Sequence, residues 1–208
     1  LGDELWTSDG TVVGTVRLGT VQVKNVTSKM VAQGNGILFV GLEAPGGGGD
    51  LWRSDGTQAG TVKVKDFASA LGLPHTLTRL GDVVMMALTG AATHGLWKTD
   101  GTEAGTVPVK EGLTIHSMYE AHGTIFLHAD TPANGNELWT SDGTTAGTVL
   151  VDLCLGTCDG LSASSTWFAA LPTGVAFSRR PLGDLWRTDG TVAGTIQLGD
   201  FFGCTDFG

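Results

Sequence analysis

Short apolar runs of four to eight residues, each closed off by Gly, Asp or Pro, recur along the whole chain. One repeat reads HTLTRLG (75–81), DVVMMALTG (82–90), GLWKTDG (95–101) and GTVPVKE (105–111). Val, Ile, Leu, Thr and aromatics dominate these runs, which predicts four strands. ILFVGLE (37–43), TIFLHAD (124–130) and GVAFSRR (174–180) take the second-strand place in the other repeats. No segment keeps a 3.6-residue apolar period over a dozen residues, so no helix is expected. In the third strand Leu and Trp are adjacent and must point to opposite faces of the sheet. A sheet that buries both faces fits between two neighbouring sheets.

The third strand also carries the organising repeat. ELWTSDGTVVGT from Glu4 returns as DLWRSDGTQAGT from Asp50, GLWKTDGTEAGT from Gly95, ELWTSDGTTAGT from Glu137 and DLWRTDGTVAGT from Asp184. Its tryptophans, Trp6, Trp52, Trp97, Trp139 and Trp186, are spaced by 46, 45, 42 and 47 residues. Four antiparallel strands per period of this length predict an all-β fold, a β-propeller of four-stranded blades. A β-solenoid is the runner-up. The expected layout is a single repeat domain over 1–208, with a partial blade at 1–24, full blades at 25–66, 67–110, 111–152 and 153–200, and a tail at 201–208. About five blades are expected in the closed form. Either the missing inner strands of the first blade lie in a longer parent chain, or the 201–208 tail and a partner chain complete it.

Between the third and fourth strands, Asp9-Gly10, Asp55-Gly56, Asp100-Gly101, Asp142-Gly143 and Asp189-Gly190 are the dipeptides of tight turns. Gly accepts positive φ, and the Asp carboxylate can accept the N–H two residues on. Thr11 and Thr15 offer hydroxyls to the same turn, and Gly14 is expected to adopt a second unusual backbone conformation. A calcium loop needs several carboxylates at alternate positions, whereas each turn here repeats only one. A phosphate-binding reading lacks the following helix. The turn is therefore read as architecture, with no metal and no cofactor expected.

ELWTSDGT and its four siblings resemble the ELWxxDGT repeat proteins, tandem-repeat bacterial proteins of secreted or surface-attached type. The resemblance spans essentially the whole chain and implies a propeller-like fold and an extracellular location. It implies no particular activity. Gly95 departs from the pattern by replacing the acidic first position.

Charge narrows the partners. The net charge of −9 and 33 glycines in 208 residues suit a turn-rich soluble protein and argue against nucleic acid. No apolar run approaches a membrane span, so no membrane insertion is expected. The chain opens LGDELW, without an initiating Met, and reads as a processed piece of something longer. Cys154 and Cys158, in CLGTC, are read as a disulfide of an oxidising compartment, leaving Cys204 unpaired. Asn25 begins an NVT acceptor sequence.

With the four strands of each repeat labelled a to d in chain order, strand alternation puts the a–b and c–d turns at one end of every sheet and the b–c and d–a loops at the other. Function concentrates in variable loops on a rigid scaffold, so the b–c/d–a end is the candidate ligand face. The residues assigned to it are Asp130, Asn134, Asn136, Glu137, Trp167, Arg179, Arg180 and Asp184. Glu4, Asp50, Glu137 and Asp184 are candidates for a partial carboxylate ring at the rim. His116, His122 and His128 crowd one repeat, and Tyr119 accompanies them. The function expected is a non-catalytic, lectin-like or adhesive module for a carbohydrate or protein ligand at the cell surface. A structural module that docks or self-associates through the half blade is the alternative, and a glycan-acting hydrolase the second.

Overall fold

The computed structural model describes residues 3–23, 30–43, 49–67, 73–90, 94–161, 167–179 and 184–199. Every element among them is a strand or a turn, and no helix occurs. Consequently no helix there is long and apolar enough to cross a membrane, which says nothing of a β-barrel. The chain divides into two compact units, Leu1–Gly112 and Leu113–Gly208.

The first unit opens with β1 (Asp3–Thr7) and β2 (Val16–Val23), followed by β3 (Val31–Gln33), β4 (Gly36–Leu42), β5 (Asp50–Ser54) and β6 (Val62–Lys65). These form one sheet in the order β1-β2-β4-β5-β6, with β3 also paired to β4. The short β3 covers only Gly36 to Leu38 of β4, and Gln22 and Val23 pair with Leu42 and Gly41 beyond it. The half blade expected at 1–24 is thus continuous with the next sheet. Leu5, Leu18, Val21 and Val23 bury themselves with Phe39, against Ile37 and Trp52.

A four-stranded antiparallel sheet completes this unit: β7 (Leu73–Leu80), β8 (Val83–Thr89), β9 (Gly95–Thr99) and β10 (Val107–Glu111). Leu38, Val40 and Leu51 pack with Phe67, Leu77, Val84, Met86, Leu88 and Trp97 in its core. Leu51 and Leu96 are fully buried, and the adjacent Trp97 is also buried, so the Leu-Trp pair fills both faces of its strand. Each such side chain contributes roughly 1.5–3 kcal/mol by leaving water.

The second unit holds two four-stranded sheets, β11 (Thr114–Ala121), β12 (Thr124–Thr131), β13 (Gly135–Ser141) and β14 (Val149–Val151), then β15 (Phe168–Ala170), β16 (Val175–Arg179), β17 (Asp184–Thr188) and β18 (Ile196–Gly199). Ala121, Phe126, Leu138, Val151 and Leu161 pack against Val175 and Phe177 between them. β7 and β11 each carry a bulge at the same place, after Pro74 and Ile115, which throws His75 and His116 out of the regular alternation.

Candidate functional site

The five Asp-Gly turns share one hydrogen-bond pattern. In the Asp100 turn, Asp100 Oδ1 accepts from Thr102 N at 2.8 Å and Thr102 Oγ1 at 2.7 Å. Gly105 N donates to Thr102 Oγ1, and Thr106 Oγ1 donates to Thr102 O. Thr99 Oγ1 meets Thr106 Oγ1 and accepts from Gly101 N. The same bonds recur around Asp9, Asp55, Asp142 and Asp189. The hydrogen bonds from Thr102 hold the Asp100 carboxyl below its usual range, and Asp9, Asp55 and Asp189 are lowered by the equivalent threonines.

Gly101 has φ +88°, but Gly105 has no positive φ; a Cβ on it would instead collide with the Asp100 carboxylate. The second glycine of the motif is thus required by close approach, not by the unusual backbone expected of Gly14. The connection is also longer than a two-residue hairpin, running over 100–106 between β9 and β10.

The acid at the other end of the third strand points inward. Asp50 Oδ1 accepts from Phe67 N at 3.0 Å, 17 residues on, and Oδ2 lies 3.3 Å from Lys63 Nζ. Burial works against that ammonium, but Glu43 and Asp50 more than offset it and raise its pKa. Glu137 is fully buried: its Oε2 accepts from Leu153 N and its Oε1 from Gly160 N, both at 2.8 Å. Asp184 is buried as well. Where the acid is missing, Gly112 N donates to the carbonyl of His94 at 3.0 Å. A Cβ on Gly95 would strike the Lys110 carbonyl, so no acid fits there. The rim ring expected of these carboxylates is corrected accordingly. Glu137 and Asp184 are loop-side interior groups withdrawn from a ligand, and only Glu4 is exposed, paired to Arg17 at 3.1 Å.

What the second unit does gather at its b–c/d–a end is a set of polar side chains that break the repeat. Leu127, Phe39, Met86 and Phe177 are the second-strand residues opposite the motif Trp, and the next position is Val40, Ala87 and Ser178 elsewhere but His128 here. His128 is buried, and its ring centroid lies 4.7 Å from that of His116. His116 Nε2 and Asp130 Oδ1 are 2.9 Å apart. Asn136 donates from both its backbone N and Nδ2 to Asp159 Oδ1, at 2.8 and 3.1 Å. Burial and then the neighbouring His116 push the His128 pKa down to about 4, against the opposing pull of Asn136, Asp130 and Asp159. Hydrogen bonds from Asn136 lower Asp159.

The loop carrying Asp159 is fastened on three sides. The disulfide Cys154–Cys158 closes it, Glu137 grips it at Leu153 and Gly160, and Leu161 N donates to Asn136 O at 2.8 Å. Gly135, with φ +65°, sits so close to Cys158 O and Asp159 that no side chain fits there.

The remaining assigned residues scatter. Asn134 closes the b–c turn, with its N on Thr131 O and its Oδ1 accepting from Thr131 Oγ1. Trp167 is 72% exposed, so it fills no core. Tyr119 Oη accepts from Ala170 N, and its ring stacks on Phe168. His122 leaves the histidine group: its φ is +55° in the a–b turn, and Nε2 lies 2.7 Å from Leu171 O. Arg180, Cys204 and Asn25 lie outside the described residues, as does the side chain of Arg179. Among the described residues, no group of three or more His, Cys, Asp or Glu is placed to hold a metal ion. Sequence reasoning missed Asp159 and the tethering role of the acids.

Two clefts lie at the opposite, turn end of the first unit. One, of about 390 Å³, is walled by the 33–36 turn, Arg53, Asp55 and Asp100. Its aspartates each give one oxygen, Oδ1, to the turn threonines Thr57 and Thr102.

No family model matches the chain, and no curated protein matches it. Among solved structures it is similar to a nidogen/laminin complex, at 9% identity over 91% of this chain and 84% of that one, with a TM-score of 0.43. It is also similar to a putative exo-β-1,3-galactanase from Bifidobacterium bifidum s17, at 10% identity over 96% and 76%, with a TM-score of 0.44.

Proposed function

We propose that the protein is an extracellular, non-catalytic binding module whose sheets are the blades of a β-propeller of about five blades, and whose ligand is a carbohydrate. The observation that carries this reading is the exposed polar group formed by His116, Asp130, Asn136 and Asp159, built on a loop held by a disulfide. A rigid frame presenting an imidazole and two carboxylates, braced by the Asn136 carboxamide on Asp159, suits vicinal hydroxyls, which both donate and accept. The exposed indole of Trp167, at the d–a end of its own sheet, supplies an apolar ring face of the kind that stacks on sugars. The five turn aspartates are held by their turn threonines, and Asp50 and Glu137 tether loops, which supports a non-catalytic role for these acids. A disulfide persists in oxidising compartments, which supports the extracellular placement, as does the resemblance to ELWxxDGT repeat proteins.

A glycan array probed with and without a calcium chelator tests the reading. The expected result is binding of at least one glycan class, weakened about tenfold by Asp130→Ala and by Trp167→Ala, a loss of about 1.4 kcal/mol each. Silence under both conditions rejects it.

A further inference from the structure

Asp130, near the end of β12, and Asp159, in the disulfide-closed loop, come together on one face of the second unit's first sheet. Asp130 and Asn136 are cross-strand partners on β12 and β13, and His128 precedes Asp130 by two residues, on the same face. Asp159 hangs on Asn136, whose backbone N and Nδ2 both donate to its Oδ1. Each carboxylate is braced by a histidine. His116 Nε2 donates to Asp130 Oδ1 at 2.9 Å. The Asn136 carboxamide that holds Asp159 interacts in turn with the buried His128 ring. Both braces take Oδ1, and Oδ2 of each aspartate makes no hydrogen bond among the described residues.

The balance of charge and of donors at this place is lopsided. No Lys or Arg among the described residues pairs with either carboxylate. Burial holds the His128 pKa down to about 4, so at neutral pH that ring brings no positive charge. Two anionic oxygens are thus held at the surface, with His116 as the one exposed ring beside them. A sugar hydroxyl meets such a pair with a single proton, whereas an ammonium brings three N–H donors and a compensating charge. The net charge of −9 draws a cation toward the protein as well.

We infer that this site selects amino sugars carrying a free primary amine, whose ammonium sits between Oδ2 of Asp130 and Oδ2 of Asp159. The inference rests on the glycan reading proposed above and adds the ligand class. Acetylation of the same nitrogen removes the charge and two of the three donors, so the N-acetylated sugar is the discriminating comparison.

The test titrates the full chain calorimetrically with three tetrasaccharides of one backbone: β-1,4-linked glucosamine, its N-acetylated form and the plain glucose form. The glucosamine tetramer is expected to bind at least about tenfold more tightly than the other two at low salt, by a margin that shrinks as salt rises. Asp159→Asn keeps an oxygen for Asn136 but removes the charge, and should cut the preference to about twofold or less. Asp130→Asn should do the same, so the result does not hang on the folding of one variant. An acidic protein attracts any polycation, so Glu103→Gln, at an exposed turn of the first unit, is the charge control and should leave the preference intact. A preference eroded equally by Glu103→Gln and Asp159→Asn overturns the inference. Equal binding of the three tetramers overturns it too, while leaving the glycan reading in place. Silence toward all three also overturns it, and only silence across the whole glycan array removes the glycan reading with it.

Discussion

The two ends of the third strand solve the same problem in opposite ways. At the Asp-Gly end, five copies use one arrangement bond for bond, down to the glycine that makes room for the carboxylate. At the acid end, Asp50 takes one amide, Glu137 takes two, and beside Gly95 a backbone carbonyl takes the place of the acid. In these three copies what repeats is an amide 16 or 17 residues on that is satisfied, not the side chain that does it. A turn closed by neighbours in sequence is copied whole, while a loop tethered at long range is free to diverge and collect new chemistry.

The largest expected break in this comparison is at Glu137. Glu137→Ala strands the amides of Leu153 and Gly160 in the interior and should cost about 3–4 kcal/mol in urea unfolding. Asp142→Ala, at the other end of the same strand, should cost clearly less, since its turn faces water.

Next comes pH. The folded His128 holds a pKa of about 4 against an ordinary 6.5, so only the unfolded chain takes up the proton between those values. Stability should therefore fall as pH drops below about 6.5 and level off near 4, by up to about 3 kcal/mol. His128→Val, the residue of the equivalent Val40, should flatten that slope. The turn aspartates are lowered instead, so the stability they confer is present above about 3.8 and lost below it, in a separate and more acidic window.

Gly105→Ala should cost about 1–3 kcal/mol through its collision with Asp100, and much of that cost should vanish in an Asp100→Ala background. A double-mutant cycle by thermal unfolding reads the coupling directly. The smallest effect is expected for Glu4→Ala. There the same motif acid sits exposed in an ion pair with Arg17, and the loss should stay under about 1 kcal/mol by urea unfolding.

Strands and turns were legible because their signals are local. The DVVMMALTG run became Val83–Thr89, and the Asp-Gly pairs sit where the chain reverses. The acid tethers were not legible, because their partners are backbone amides and carry no side-chain signature. Their one trace is the joint occurrence of Gly95 and Gly112, where a carbonyl replaces the acid. The histidines divided for a similar reason. A bulge turned His116 toward His128, while a positive φ carried His122 into a turn. Continuity of β2 with β4 was hidden too, since a two-residue ladder leaves no periodicity to read.

Amide hydrogen exchange at Phe67, Gly112 and Leu153 bears most directly on whether the motif acids are tethers. Slow exchange at all three is the expected result, with Asp50→Ala accelerating Phe67 at least about tenfold and leaving the other two unchanged. Fast exchange at Phe67 in the unaltered protein, or a Phe67 indifferent to Asp50→Ala, would contradict it.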